Sequence, residues 1–388
     1  RPVRVYIMSG QSNMVGRGKV FGPSPESLTT IAKSENKFPY LLDDSGEFLS
    51  RQDVFYRGVN AAGANGPLQP GYGTNSNAMG PELGFGHVMG WYHDEPVLLI
   101  KTSNGGRSLG FDILPPGSVA YEFDGQMYGG YGQERNWPVG DEPASDPSEW
   151  AGLDWDRFFF DESEFGRPQS SAFNVVDVLD NFATEYPEWA DQGFEIAGFV
   201  WWQGDADRYD LGLATRYEQN LVNLITTLRS YYENRYPGKV VADAPLVLAT
   251  LGQTPLDSTD PGERAVLDAH FAVDGDSGTY PDFAGNVKTV YSKPLTRAGS
   301  SNGHYNEDSM TYMLVGDALG RSMVELLDGG ATGQSFAEWM ALRGTGAGSG
   351  FEDDPDGDGI PNGVEAFFGT EPFEANPGLA VATVTSGA

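Results

Sequence analysis

Short apolar runs alternate with helix-period segments along the first 330 residues. Apolar residues recur at helical spacing between Tyr217 and Leu228, which predicts an amphipathic helix. Further helices are expected at 80–91, 171–186, 261–271 and 309–328. Five other runs have the length and composition of buried strands: Val3 to Met8, Val97 to Lys101, Ile196 to Trp202, Pro245 to Leu251 and Val287 to Tyr291.

Strands that alternate with helices usually form a parallel sheet whose two faces are both covered. The predicted fold class is therefore α/β, a three-layer α/β/α sandwich around a central, mostly parallel five-stranded sheet. Two long insertions interrupt the alternation, at about 21–79 and 111–167. The second is rich in aromatic residues, which predicts either a small core packed under the loop or a platform for stacking sugar rings, and both roles are compatible.

The charge of the chain limits its partners. Its 388 residues include 55 acidic and 24 basic ones, and the formal net charge is −31. Nucleic acids and anionic membrane surfaces attract basic proteins, so neither is an expected partner. No apolar run approaches the roughly 18 residues of a membrane span, so no membrane insertion is expected. The absence of cysteine excludes disulfides, thiolate catalysis and cysteine-bound metals.

A serine follows the first predicted strand directly. Ser12 lies in Gly10-Gln11-Ser12-Asn13-Met14, at the carboxyl end of a parallel strand, where open α/β sheets bind their ligands. The hydrolase pattern G-x-S-x-G is half met, because Met14 replaces its second glycine.

This segment and four later ones resemble, in order, the conserved blocks of the SGNH hydrolase superfamily. The resemblance is strongest to its sialate O-acetylesterase-like and carbohydrate acetylesterase branch. The later blocks are Gly80-Pro81-Glu82-Leu83-Gly84-Phe85, Ser103-Asn104-Gly105-Gly106, Trp201-Trp202-Gln203-Gly204-Asp205 and Gly303-His304. The resemblance implies a flavodoxin-like fold and a serine esterase acting on carbohydrates.

The residues in these blocks also suit the chemistry of ester cleavage. Ester cleavage needs a nucleophile, a base, and hydrogen-bond donors for the developing oxyanion. Ser12 offers its hydroxyl and its backbone N–H, and the N–H groups of Gly105 and Gly106 are open to close approach. Gln203, at the end of a predicted buried strand, is expected either to complete the oxyanion hole or to be a buried amide that joins neighbouring loops.

Four histidines are available as the base. His87, His93 and His270 lie on or near predicted helices without a catalytic context, whereas His304 occupies the position that the resemblance assigns to the base. The acid that the family places three residues earlier is replaced here by Ser301. Asp205 is therefore the expected third member of the triad, or else a group that only orients its own loop; Glu307 and Asp308 are further options.

Two arginines lie close to these blocks. Arg17 and Arg107 are candidates for binding an anionic group on the substrate, although ion pairing with neighbouring acids is the commoner role of such residues.

The composition changes after residue 330. Residues 1–330 are expected to form the esterase-type domain, 331–350 a linker and 351–388 a calcium-binding tail. Residues 354–365 fit the twelve-residue calcium loop, with a glycine at its sixth position. The expected ligands are Asp354, Asp356, Asp358, the Ile360 carbonyl, Asn362 and Glu365. The loop resembles a thrombospondin type 3 repeat, which implies structural calcium and an extracellular or periplasmic location.

Three functions remain open on the sequence. The first is a secreted serine esterase that removes O-acetyl groups from a poly- or oligosaccharide, with calcium only in the tail and no catalytic cofactor. The second is a non-catalytic glycan-binding module on a degenerate esterase fold. The third is a lipid or aryl esterase, which the polar, aromatic-rich insertions make less suitable. The chain starts at Arg1, and removal of a leader or trimming of the chain would both account for this.

Overall fold

A seven-stranded sheet forms the centre of our computed structural model, which describes residues 1–60, 64–159, 174–297 and 299–329. The predicted linker and calcium-binding tail lie outside the described residues. The sheet strands are β1 (Val3–Gly10), β3 (Arg51–Gly58), β4 (Asn65–Leu68), β6 (Val97–Ser103), β10 (Phe194–Trp202), β11 (Leu246–Ala249) and β12 (Val287–Val290).

The strand order is β12-β11-β10-β1-β6-β3-β4, and only the β3–β4 pair is antiparallel. All five predicted strands are present, and numbered among themselves they have the order 2-1-3-4-5 that is typical of flavodoxin-like sheets. The predicted count of five strands was wrong, because the first insertion adds β3 and β4 at the edge beside β6. The start of β3 is polar and exposed, so this strand lacks the continuous apolar run of a central one.

Five short strands lie outside the central sheet. They are β2 (Gly18–Lys19), β5 (Ala78–Met79), β7 (Tyr121–Phe123), β8 (Gln126–Tyr128) and β9 (Asn136–Pro138). The helices are α1 (Ser12–Val15), α2 (Glu82–Tyr92), α3 (Leu153–Phe159), α4 (Val175–Asp180), α5 (Phe182–Glu185), α6 (Asp205–Arg208), α7 (Leu211–Ala214), α8 (Tyr217–Arg235), α9 (Pro261–Ala272) and α10 (Ser309–Leu327). No helix in these described ranges combines the length and apolar character needed to cross a membrane.

Helices cover both faces of the sheet. Val5 and Ile7 of β1 pack in one core with the apolar side of α8, including Leu224. Tyr6 and Met8 point to the opposite face, where α2 and α10 contribute the second core. The alternation along β1 therefore places apolar residues on both faces, as expected for a central parallel strand.

The aromatic residues of the second insertion mostly serve packing. Trp155 and Phe158 are buried in the core on the α8 side of the sheet. Tyr121 and Tyr128 stack on each other across β7 and β8, with ring centroids 5.4 Å apart. The packing role expected from the sequence therefore accounts for these described aromatic residues.

A buried ion pair lies beneath the turn that follows β1. The Nζ of Lys101 is 2.9 Å from Oε2 of Glu82, and both side chains are almost completely buried. Lys101 also donates to the backbone oxygens of Val15 and Tyr72, at 2.7 and 3.0 Å. Burial lowers the pKa of Lys101, while the Glu82 carboxylate opposes this shift. One ammonium group therefore holds together the end of α1, the start of α2 and the first insertion.

Breaking this pair should destabilise the fold strongly. We expect Lys101→Met to lower the free energy of unfolding by about 3–5 kcal/mol, because Glu82 is left as an uncompensated buried charge. Urea denaturation measures the loss, and a second substitution, Glu82→Leu, should recover part of it. Lys288→Met is the control, since Lys288 forms partly exposed pairs with Asp276 and Glu325 and should cost about 1 kcal/mol or less. Equal losses in the two single variants would contradict the assignment.

Candidate active site

Ser12 begins α1 at the carboxyl edge of the sheet, between the ends of β1 and β10. The strand order reverses at this point, which is where open α/β sheets bind ligands. Gly10 has φ +154°, and a Cβ there would lie 2.1 Å from the Trp202 carbonyl oxygen, so only glycine lets the two strand ends approach. Ser12 is half-buried, and as the first residue of α1 its backbone N–H has no partner within the helix.

The amides on either side of Ser12 bind two different loops. Gln11 Oε1 accepts hydrogen bonds from the backbone N–H groups of Gly204 and Ala206, at 3.3 and 3.1 Å. Asn13 Nδ2 donates to Ser301 Oγ at 2.5 Å and to the Tyr305 hydroxyl at 3.3 Å. The serine turn is therefore fastened to the loop after β10 on one side and to the His304 loop on the other.

The roles of Gln11 and Asn13 were not predicted from the sequence. Both are buried, at 2% and 0% exposure. The sequence did contain a signal for these roles, namely two amides that flank a serine at the end of an apolar strand. A buried amide needs hydrogen-bond partners, so each of them could have been expected to bind a neighbouring segment.

His304 begins a left-handed turn. His304, Tyr305, Asn306 and Glu307 have φ values of +51°, +52°, +56° and +58°. Left-handed helical conformation costs roughly 1–2 kcal/mol for each non-glycine residue, and strain of this kind clusters at functional sites.

The buried Tyr305 side chain anchors this turn. Its ring stacks on Trp202 with centroids 5.7 Å apart, and its hydroxyl accepts a hydrogen bond of 3.0 Å from the Gly252 N–H. The Asn13 amide binds the same hydroxyl. The position of His304 is thus set by its neighbour in the chain.

Charges of both signs act on His304. Partial burial lowers its pKa, and Arg17 lowers it further, whereas Asp205 and Glu307 raise it. Arg17 and Glu307 form an ion pair of 3.6 Å at the surface. The net effect is a pKa below the usual value of 6.5, so His304 is neutral at pH 7 and able to accept a proton.

The other three histidines are held neutral by burial. Desolvation lowers the pKa of His87 to about 3, that of His93 to about 4 and that of His270 to about 3. His270 lies in the core, with Nε2 3.3 Å from the Tyr217 hydroxyl. Among the described residues, His304 is the one histidine on which Arg17, Asp205 and Glu307 act together at the carboxyl edge.

Asp205 lies near His304 but bonds elsewhere. Its carboxylate accepts a hydrogen bond of 2.7 Å from Arg208 Nε. No hydrogen bond joins it to the imidazole, or the imidazole to Ser12, within the described chain. Ser301, where the resemblance led us to expect an acid, uses its hydroxyl to accept a hydrogen bond from Asn13. Asp205 thus acts on His304 through its charge.

The glycine pair borders Ser12. A Cβ on Gly105 would have the Ser12 Cβ as its nearest neighbour, at 3.9 Å. The N–H of Gly105 donates to the Asn104 side chain at 2.9 Å, while Gly106 has φ +69° and open space around it. Both glycines are exposed, so a substrate can approach their backbone.

Gln203 is occupied by internal contacts. It is fully buried, and Nε2 donates to Asp207 Oδ2 at 2.6 Å and to the Arg107 carbonyl at 2.9 Å. Its Oε1 accepts from the Tyr217 hydroxyl at 2.7 Å. The amide hydrogens that the sequence analysis offered to the oxyanion are already bound, so in this structure Gln203 joins loops instead.

Asp207 is a site residue that the sequence analysis missed. This fully buried carboxylate accepts hydrogen bonds from the N–H groups of Leu109 and Gly110, at 2.9 and 2.8 Å, as well as from Gln203. Burial raises its pKa to about 6, although the three donors favour the charged form. Asp207 therefore fixes the loop that carries Gly105 and Gly106 to the end of β10.

Both candidate substrate-binding arginines are paired with acids. Arg17 pairs with Glu307, as described above. Arg107 pairs with Asp154 and lies 4.0 Å from Asp112. The structure thus brings Arg17, Asp205 and His304 together and places Arg107 on the glycine loop, where it contacts the second insertion.

Comparison with known proteins bears on the N-terminal part of the chain. Residues 2–123 match a family described as carbohydrate esterase, sialic acid-specific acetylesterase. The match covers less than a third of the chain and includes Ser12, Gly105 and Gly106. No curated protein matches the chain.

Three solved structures are similar to this chain. A protein from Arabidopsis thaliana is 15% identical with a TM-score of 0.45, over 84% of this chain and 99% of that one. A carbohydrate acetylesterase from Xanthomonas citri is 11% identical with a TM-score of 0.44, over 84% of this chain and 57% of that one. NanS is 12% identical with a TM-score of 0.42, over 84% and 98%.

The charges around His304 predict its titration. We expect NMR titration to give His304 a pKa below 6.5, and Arg17→Gln to raise it, because a positive charge that disfavours the imidazolium is removed. Glu307→Gln and Asp205→Asn should each lower it. Arg107→Gln is the control and should leave it unchanged. A pKa that does not move in Arg17→Gln would contradict the assigned electrostatics.

Proposed function

We propose that this protein is a serine esterase that removes O-acetyl groups from a carbohydrate. The observation that carries the proposal is the joining of the Ser12 turn to the His304 loop through Asn13, beside the glycine pair, at the point where the strand order reverses. The match of residues 2–123 to a carbohydrate esterase family supports the same reaction class.

In the proposed mechanism Ser12 Oγ attacks the acetyl carbonyl while His304 takes the serine proton. The carbonyl oxygen becomes an oxyanion, which accepts hydrogen bonds from the backbone N–H groups of Ser12 and Gly106, and the Gly105 N–H joins them when it exchanges the Asn104 side chain for the oxyanion. His304 then gives the proton to the departing sugar oxygen as the bond from this oxygen to the carbonyl carbon breaks, which releases the sugar with a free hydroxyl. Water, deprotonated by His304, attacks the acetyl-enzyme and releases acetate, which restores Ser12.

Asp205 has an electrostatic role in this proposal. A negative charge near His304 stabilises the imidazolium that forms during attack. Because Asp205 hydrogen-bonds Arg208 and not the imidazole, the orientation of the ring depends on the anchored turn that begins at His304. Gln203 and Asp207 contribute by holding the glycine loop in place.

Replacing the nucleophile tests the proposal directly. We expect Ser12→Ala to lower kcat for acetyl ester hydrolysis by about 10³-fold or more, with an unchanged melting temperature. His304→Ala should cost a similar factor, because the two residues act as a unit. Ser50→Ala, at an exposed serine, is the matched control and should keep full activity.

Two results would contradict the proposal, the first its mechanism and the second its reaction. Full activity in Ser12→Ala would place the nucleophile elsewhere. Glycan binding by a wild-type protein that hydrolyses no acetyl ester would favour the non-catalytic module. Comparing acetyl with long-chain esters separates the carbohydrate esterase from a lipid esterase, because only the latter gains from an added acyl chain.

We also propose that the tail binds one calcium ion and that the protein is exported. The support is the twelve-residue template at 354–365, whose carboxylate and carbonyl oxygens are the ligands that calcium prefers.

Calorimetry should detect one calcium ion per chain. We expect Glu365→Gln to weaken binding at least tenfold, because the bidentate carboxylate that closes the loop is lost. Glu374→Gln, outside the template, is the control. Hydrolysis should be little changed by chelation; its complete loss would place a metal in the active site and contradict the mechanism.

A further inference from the structure

The first insertion encloses a cavity that contains none of the proposed catalytic residues. Its volume is about 610 Å³, within the range of small-molecule binding sites. The lining comes from four stretches of the insertion, and its residues are Phe21, Glu47, Phe48, Ala64 and 69–76.

Aromatic rings form part of the cavity wall. Phe21 is 51% exposed, and its ring meets that of Phe48 edge to face, with centroids 6.2 Å apart. Tyr72 is held in place, because its ring stacks on Tyr56 at 4.6 Å and its hydroxyl donates to the Pro67 carbonyl at 2.8 Å. A half-exposed phenylalanine beside fixed rings offers a preformed apolar surface of the kind that the C–H face of a sugar ring contacts.

Polar groups complete the lining. Gln69, Thr74 and Ser76 are exposed and offer amide and hydroxyl groups, which suit the hydroxyls of a sugar. Glu47 is the one charged residue among the described lining residues, and its carboxylate pairs with Lys33 at 2.9 Å. No lysine, arginine or histidine belongs to the described lining, and the Lys33 ammonium, 5.4 Å from the Phe48 ring centroid, is paired with Glu47, so the described lining favours an uncharged ligand over a sulfated or carboxylated one.

The cavity wall is fastened to the helix that carries Ser12. The Lys101 ammonium donates both to the carbonyl of Val15, at the end of α1, and to that of Tyr72, in the cavity wall. The Thr74 N–H donates to the Gly16 carbonyl at 2.9 Å. Gly16 follows Ser12 by one helical turn, roughly 6 Å along the axis. These contacts hold the cavity wall in a fixed position relative to α1, as a polymer that reaches from the cavity to the proposed nucleophile would require.

We propose that this cavity is a second sugar-binding subsite, which holds an unmodified unit of a neutral polysaccharide whose acetylated unit lies at Ser12. The inference rests on the proposed function for the identity of the polymer. It adds that the substrate is an uncharged glycan, and that the first insertion selects polymers over small esters.

Kinetics with two substrates test the subsite. We expect Phe21→Ala and Phe48→Ala each to lower kcat/KM on acetylated xylan about tenfold, mainly through KM, because a stacking contact worth about one factor of ten is lost. Hydrolysis of 4-nitrophenyl acetate, which is too small to reach the cavity, should be unchanged. Leu49→Ala is the control, since Leu49 is an exposed neighbour of Phe48 outside the lining. Equal losses on both substrates, or none on xylan, would overturn the proposal.

Binding measurements separate the subsite from the reaction. We expect Ser12→Ala protein to bind deacetylated xylan or glucomannan by calorimetry, and the double variant with Phe21→Ala to bind it at least tenfold more weakly. Preference for carrageenan or polysialic acid, or no binding of either neutral glycan, would overturn the proposal. A wild-type protein that binds neutral glycans through Phe21 but hydrolyses no ester would refute the esterase and retain the subsite.

Discussion

The hydrogen bonds of Gln11 and Asn13 are the contacts on which the rest of the site depends. Ser12 is held at the end of a strand, but its partners come from loops far away in the chain. Gln11 binds the loop after β10, and Asn13 binds the loop that carries His304. A hydrogen bond of this kind contributes only about 1 kcal/mol, yet leaving a buried amide without a partner costs about 1–3 kcal/mol. Other positions of the two loops would leave the buried amides of Gln11 and Asn13 without partners, and this cost makes the observed arrangement specific.

Buried charged groups next to the site also fix the positions of loops that are distant in sequence. The Lys101–Glu82 pair lies beneath α1, and Asp207 lies beneath the glycine loop. Neither is an efficient way to stabilise a fold, because desolvation offsets most of the attraction. Each instead gathers backbone groups from segments that are distant in sequence. The protein thus uses costly polar groups where position matters and apolar packing elsewhere.

The sequence predicts the five strands of the alternating pattern well and the two strands of the first insertion poorly. Central strands are buried on both faces, so each is a continuous apolar run, whereas β3 begins with Arg51 and Asp53 and gives no such signal. Ser12 and the glycine pair were candidates because strand ends and glycines are visible in a sequence, and His304 because the family resemblance marked it.

Side-chain partners were less predictable. Gln203 and Asp207 are both polar residues after β10, and nothing in their spacing tells that both are buried and bind neighbouring loops. That depends on loop conformation, which backbone groups of residues 107–110 and the Tyr217 hydroxyl help to determine. The backbone of 304–307 is equally invisible, since these residues include no glycine.

The left-handed turn at 304–307 also restricts how this protein is able to diverge. β-Branched residues are strongly disfavoured at positive φ, and only glycine, asparagine and aspartate adopt it readily. Substitution by valine, isoleucine or threonine is thus strongly disfavoured at four successive positions, one of which is the proposed base, His304. A lineage that loses the turn must rebuild the loop by insertion or deletion. Related sequences that have diverged in this loop should therefore differ in its length.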